Sequence, residues 1–378
     1  PVTFRNSRIN SINGTLTLSG SLVSQGTAAT TFLNLGGVNT AGVANFNLTG
    51  VLSSSGSVEK SGAGTLFLDP SSVSGFTGTI RVGAAASAQQ SSVRVTQATV
   101  GGVSVFGANT GTGGSSAIDM NGGVLELRSA GDLNFNALAG GKNVYHRASS
   151  TLYTGPALGG DTINGLATFG TFRLAANTTG TFNSRNGYGM TFQAWTQESS
   201  NNSNTITNNM GGTLTFAAGV WGNNDATART LTFGGNGNTV VVGSITGSSG
   251  AHILAKSGAG LLRIDGVGGT FSGNTNVSGG TLQITDFRSI NNNTAAIVLG
   301  NATTTVGNLI IGTSATAAVG GLTTSKTITL STTTVTPSIY ANQTGVSPVI
   351  LNGAITRSAQ TTGGLILGGT NTADNVIN

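Results

Sequence analysis

The sequence predicts an all-β chain wound into a parallel β-helix, a β-solenoid with essentially no helix. Three observations carry this reading. A long stretch occurs twice: Lys60-Ser-Gly-Ala-Gly-Thr-Leu-Phe-Leu-Asp69 is answered by Lys256-Ser-Gly-Ala-Gly-Leu-Leu-Arg-Ile-Asp265, and Phe76-Thr-Gly-Thr-Ile-Arg-Val82 by Phe271-Ser-Gly-Asn-Thr-Asn-Val277. A smaller unit, Gly-x-Leu-x-Φ with Φ a large apolar residue, recurs along the whole chain. Gly and Asn interrupt every window that could form a helix, and each Gly costs a helix interior about 1 kcal/mol. A chain built from repeats stacks its units and buries a continuous core between them.

The small unit sets the strands. It reads Gly14-Thr-Leu-Thr-Leu18, Gly64-Thr-Leu-Phe-Leu68, Gly123-Val-Leu-Glu-Leu127, Gly212-Thr-Leu-Thr-Phe216, Gly260-Leu-Leu-Arg-Ile264 and Gly280-Thr-Leu-Gln-Ile284. Looser copies are Gly307-Asn-Leu-Ile-Ile311 and Gly363-Gly-Leu-Ile-Leu367. Apolar residues two apart make a strand with one face inward. Leu66, Leu68, Leu262, Ile264, Leu282 and Ile284 are therefore predicted to be buried, with Arg263 and Gln283 facing outward. Like residues of successive coils are expected to stack. Asn-Gly pairs at Asn13, Asn121, Asn164, Asn186, Asn236 and Asn352 mark the corners, because both residue types tolerate positive φ. If Gly260 to Gly280 and Gly280 to Gly307 are single coils, a coil takes roughly 20–27 residues. The chain 1–378 reads as one continuous solenoid, with 129–210 as its least repetitive segment, made of coils with longer loops. A third cycle, through Gly353-Ala-Ile and Gly363-Gly-Leu, stops inside a unit at Asn378.

Composition narrows the function classes. Charged residues are 7% of the chain, against about 25% in a typical soluble domain. The net charge of +5 comes from 16 Lys and Arg scattered singly, and nucleic-acid binding needs a clustered basic patch. There is no Cys, so disulfides and thiolate metal sites are excluded. No stretch is apolar for long enough to form a transmembrane helix. Pro1-Val-Thr-Phe4 has no basic region ahead of an apolar segment, so any signal peptide is expected to be gone already. His146 and His252 are far apart in sequence, and no calcium-binding nonapeptide occurs. No cofactor or metal is expected.

Lys256-Ser-Gly-Ala-Gly-Leu-Leu-Arg-Ile264, Phe271-Ser-Gly-Asn-Thr-Asn-Val277 and Ser278-Gly-Gly-Thr-Leu-Gln-Ile284 together resemble the autotransporter-associated β-strand repeat. That repeat reads K-x-G-x-G-T-L-x-L, then Y-x-G-x-T-x-V, then G-G-T-L. Residues 58–83 resemble it again, with Phe76 in the aromatic place. Residues 355–378 resemble it in part, with Arg357 where the lysine would stand. The resemblance implies a right-handed parallel β-helix of the passenger type, displayed outside a Gram-negative cell. The repeat positions it marks are Lys60, Gly62, Gly64, Leu66 and Leu68, then Lys256, Gly258, Gly260, Leu262 and Ile264, then Gly280, Leu282 and Ile284. The family's membrane barrel, with its aromatic girdles, has no counterpart after residue 300.

Candidate sites are few. Lys60 and Lys256 occupy equivalent places; they read as corner lysines with the ammonium in water and the stem over apolar surface, the alternative being a covalent cross-link to Asn or Asp. Asp69 and Asp265 read as turn caps. Only 11 acids exist, and the plausible catalytic pairs are Asp119 with Glu126 and Asp265 with Asp286, the latter two assigned to turns and surface. A glycan-binding aromatic stripe would have to use Tyr188, Trp195 and Trp221. With so little catalytic equipment, the sequence points to a non-enzymatic extracellular building block of a fibre, sheath or layer. Its expected partners are other copies of itself, stacked head to tail through open coil ends. The alternatives are an adhesin passenger whose 129–210 loops bind a surface or glycan and, more distantly, a polysaccharide-degrading β-helix.

Overall fold

The structure is a computed structural model. It describes residues 1–378 apart from 1, 5–7, 12–13, 25–31, 38–43, 54, 85–90, 108–116, 137–140, 158–163, 198–202, 221–227, 247–250, 292, 302–304, 313–321, 332–334, 343–347 and 359–363. The chain divides into two compact units, Pro1–Gln193 with Met210–Gly212, and Ala194–Asn209 with Thr213–Asn378. Each unit is a β-solenoid of parallel strands, as the apolar alternation requires.

In the first unit one sheet stacks Gly14–Leu18, Ala44–Leu48, Gly64–Leu68, Ser91–Val95, Val124–Arg128, Ser150–Gly155 and Thr179–Ser184, every pair parallel. A second sheet runs from Arg8–Ser11 through Phe32–Gly37, Ser57–Lys60, Ile80–Val82, Ile118–Asn121 and Val144–Ala148 to Leu166–Leu174. A third face is made by the short strands Val2–Phe4, Leu22–Ser24, Val51–Leu52 and Ser72–Val73. The exception to parallel pairing is a small antiparallel hairpin, Thr99–Val100 with Val103–Ser104. The segment 129–210 contains the nine-residue strands Leu166–Leu174 and Gly189–Gln197.

In the second unit one sheet stacks Asn204–Asn209, Thr230–Gly234, Ile253–Lys256, Thr275–Val277, Ile297–Leu299, Ile328–Leu330 and Ile355–Arg357. Another stacks Leu214–Phe216, Thr239–Val241, Leu261–Ile264, Gly280–Ile284, Gly307–Ile311, Ser338–Ala341 and Ile366–Gly369. A short face holds Thr323–Thr324, Ile350–Leu351 and Val376–Ile377. Helical structure among the described residues is one 3-10 turn, Phe287–Ile290.

The core is a set of ladders. Phe46, Leu66, Val93, Leu125, Leu152 and Phe182 are direct register partners in turn, and all are buried. Leu262, Leu282, Leu309 and Ile339 form one ladder of the second unit; Ile264, Ile284, Ile311 and Ala341 form the next. Arg263 and Gln283 lie in the outward row between these ladders, as predicted. A rung is covered only when a coil lies on each side of it. For this reason Leu16 and Leu367, which carry the expected inward pattern, are 38% and 51% exposed: one begins and the other ends its described ladder. Coil length is less uniform than expected. Leu262 pairs with Leu282 and Leu282 with Leu309, as the sequence predicts, yet Val93 pairs with Leu125, a coil of 32 residues. Despite the longer coil, Ser92–Val95 pair in unbroken register with Val124–Leu127.

Truncating one interior rung should be costly, because neighbours on both sides lose contact and cannot close the gap. Leu282→Ala is expected to destabilise the fold by about 2–5 kcal/mol, and Gln283→Ala, which on the outward row removes one hydrogen bond to the Gly312 carbonyl, by about 0.5–1.5 kcal/mol. Guanidinium denaturation of the two variants checks the difference.

Candidate functional site

The duplicated Lys-Ser-Gly-Ala-Gly turn is the most specific feature of the sequence, and the structure gives it a definite chemistry. Lys60 lies on an inward rung between Leu35 and Val82, and Lys256 between Phe233 and Val277. Both side chains are buried. The stem therefore fills a ladder position, and the ammonium turns back into the corner. Nζ of Lys60 donates to the carbonyls of Ser61, Gly62 and Ala63 at 2.7, 2.9 and 3.2 Å. Nζ of Lys256 donates to Ser257 and Gly258 at 2.6 and 2.8 Å, and to Gly279 of the next coil at 3.3 Å. Three N–H donors meet three acceptors in each case.

The glycines make this cage possible. Gly62 and Gly258 sit at φ 67° and 72°, which curls the turn over the ammonium. Gly64 and Gly280 have positive φ too. Gly260 is needed for space: a Cβ there would meet the Gly237 carbonyl oxygen at 2.1 Å. The expectation that these lysines hold their charge in water is thus overturned. An ammonium out of water is tolerated when it is fully hydrogen-bonded, and here the corner backbone supplies the bonds. Burial lowers the pKa of both lysines to about 8, which leaves them largely protonated at neutral pH. The groups that each ammonium meets are backbone carbonyls, with no Asn or Asp side chain among these bonds to take part in a cross-link. Leu66, Leu68, Leu262, Ile264, Leu282 and Ile284 beside the corners are buried rungs.

Sequence reasoning missed a third caged lysine. Lys326 is buried, donates to Asn293 Oδ1 at 2.6 Å and to the Ala295 carbonyl at 3.0 Å, and has its pKa lowered to about 8 by burial. No glycine turn follows it in sequence, so the motif that marks the other two is absent. Arg357, expected in a lysine's place, is exposed.

The acids singled out as catalytic pairs are each engaged by other partners. Asp119 is buried beneath two arginines, Arg81 at 3.1 Å and Arg147 at 2.7 Å. Glu126 lies on a different sheet and pairs with Arg94 at 2.8 Å and Arg128 at 3.4 Å. Asp265 pairs with Arg263 at 2.9 Å, and Asp69 accepts from Gln97 at 2.7 Å. Asp286, expected at the surface, is wholly buried: it caps the 3-10 turn through the Arg288 N–H and binds the Arg288 guanidinium. Register explains the pairing of Arg81 with Asp119 and of Arg94 with Glu126. Glu59, Arg81, Asp119, Tyr145 and Arg173 are successive partners on one outward row, and Phe67, Arg94, Glu126 and Tyr153 on another. Arg128 lies over the Tyr153 ring and Arg147 over Tyr145, at 4.2 and 4.3 Å.

The proposed aromatic stripe is not at the surface. Trp195 is buried edge-on to Phe216 and Phe233, and Tyr188 is buried with its hydroxyl donating to the Ser129 carbonyl. Trp221 lies outside the described residues. Phe106, Phe135, Phe169 and Phe192 form an aromatic column with centroids 4.8–5.4 Å apart. His146 is buried against Phe172 and Phe182, with no hydrogen-bond partner at either nitrogen, and burial lowers its pKa to about 3. His252 is buried in the other unit. Among the described residues no group of three His, Cys, Asp or Glu is placed to hold a metal.

Residues 58–85 and 254–284 match the family model of the passenger-associated-transport-repeat. These are the two segments that carry the lysine corners, and the match bears out the resemblance read from the sequence. Such a repeat implies a passenger-type β-helix of the extracellular kind. No curated protein and no solved structure matches the chain.

Two measurements test these assignments. Lys60→Met or Lys256→Met keeps the stem but leaves the corner carbonyls unpaired, and each is expected to cost about 1–3 kcal/mol by denaturant titration. His146 has the opposite role, as a group that must stay neutral. Its folded pKa lies below the unfolded value of about 6.5, so between pH 6.5 and about 3 the unfolded chain binds the extra proton and stability falls as pH falls. The slope it adds is at most about 1.4 kcal/mol per pH unit. His146→Leu should flatten the acid limb of a stability-against-pH curve over that window.

Proposed function

We propose that the chain is a non-enzymatic, passenger-type β-solenoid exposed at the surface of a Gram-negative cell, where it acts as a structural building block. One observation carries this reading. Among the described residues, the side chains singled out as able to do chemistry are already engaged: the repeated lysines by corner carbonyls, and Asp119, Glu126, Asp265 and Asp286 by arginines. The matched repeat supports the extracellular setting.

In the proposed assembly, copies stack coil on coil. Leu367 continues the ladder of Ile339 and Ile377 that of Leu351, and both are about half exposed, at 51% and 48%. A further coil of the same pattern would bury them, and here a second copy supplies it. Such a contact does not close on itself and propagates into a filament.

Negative-stain microscopy of the purified chain is the test. Ordered filaments that Leu367→Arg abolishes, with the β-rich circular dichroism spectrum unchanged, are the expected result. Isolated particles at every concentration would overturn the building-block reading, and filaments unaffected by Leu367→Arg would overturn the stacking mode.

A further inference from the structure

Two successive corners of the first unit, 96–99 and 129–134, line an open cleft of about 420 Å³. This is within the range of small-molecule sites, about 300–1,000 Å³. It opens where the antiparallel hairpin Thr99–Val100 with Val103–Ser104 leaves the solenoid. Ala98 contributes a small apolar surface, with Leu133 buried beneath; Gln97, Ser129, Asp132 and Asn134 supply polar groups.

Each of those four polar side chains is held by one hydrogen bond within the protein. Gln97 Nε2 donates to Asp69 Oδ1 at 2.7 Å, and Asp132 Oδ1 accepts from the Leu166 N–H at 2.8 Å. Asn134 Oδ1 accepts from the Asn136 N–H at 2.9 Å, and Ser129 Oγ from the Gly131 N–H at 3.2 Å. What each keeps is directional: amide N–H donors on Asn134, an amide oxygen and a second N–H on Gln97, a hydroxyl proton on Ser129 and a carboxylate oxygen on Asp132. Groups fixed before binding lose little freedom on binding. Mixed donors and acceptors set close together match the hydroxyl edge of a sugar ring.

Charge selects among sugars. Asp132 is the charged side chain in the cleft lining. The neighbouring Arg94 and Arg128 are both tied to Glu126. The acids Asp132, Asp69 (bonded to Gln97) and Glu126 outnumber these two arginines, so an anionic sugar would meet net negative charge. We propose that this cleft binds a neutral glycan, with Asp132 and Gln97 accepting sugar hydroxyls and Asn134 donating to them. This goes beyond the structural role proposed above and fails or stands separately from it.

The test uses the whole chain on an array of neutral and uronate- or sialate-bearing oligosaccharides, followed by titration calorimetry with the best-retained neutral oligosaccharide. The expected result is retention of neutral glycans, at least tenfold weaker binding in Asp132→Ala and in Asn134→Ala, and unchanged thermal unfolding of both variants. Asp132→Asn, which keeps an acceptor for the Leu166 N–H, covers the case in which the alanine variant does not fold. Retention of no neutral glycan, preference for anionic glycans, or affinity unchanged in Asp132→Asn and Asn134→Ala would each overturn the proposal.

Discussion

In each unit a coil has no sheet of its own. Apart from the Thr99–Ser104 hairpin and the end strands, the described strands find their backbone partners in the coil before and the coil after, so the peptide groups of one coil are satisfied only by correct stacking on the next. A slip of one residue would put a whole row of apolar side chains into water. The ladders of Leu66, Val93 and Leu125 and of Leu262, Leu282 and Leu309 are the side-chain record of that constraint. The polar rows obey it too. Arg81 meets Asp119, and Arg94 meets Glu126, because the register puts them on adjacent rungs.

Corners are where this arrangement is most exposed to failure, since the chain must turn and its carbonyls lose strand partners. The lysine corners solve that locally. A side chain that belongs to the ladder by its stem supplies three donors by its tip, and a glycine at positive φ brings the carbonyls within reach. At Lys256 one of those carbonyls belongs to the following coil, so the same ammonium also ties two coils together. The repeat K-x-G-x-G is the sequence trace of this cage, which explains why the lysine and the two glycines travel as a unit.

How much of this could be read from the residues follows from which features are periodic. The inward rungs, the single-coil spacing from Leu262 to Leu309 and the near absence of helix were all visible, because alternation and repetition are local signals. The fate of the lysine was not. Lys60 looks like any surface lysine until the carbonyls of residues 61–63 are placed around it. Tyr188 and Trp195 were misplaced for a similar reason: a large aromatic in an irregular segment gives no alternation to say which way it points. The partner of each arginine was legible in principle, since Glu59, Arg81 and Asp119 fall on matching rungs once the coils are aligned. The cleft was not legible, because it depends on how two corners are placed relative to each other.

Coil length varies more than register, which shifts by one residue between Met120 and Asn121, and this bears on how such a chain reaches its structure. Ladder partners such as Phe46 with Leu66 or Val93 with Leu125 lie within a few tens of residues of each other. Contact order within each unit is correspondingly low for a β protein, a class that usually folds slowly because its pairings are distant. Each completed coil presents a template of open peptide groups and half-covered rungs to the residues that follow. The chain can therefore wind up one coil at a time, in the order in which its residues become available, and need never hold more than one turn of unpaired strand in solvent.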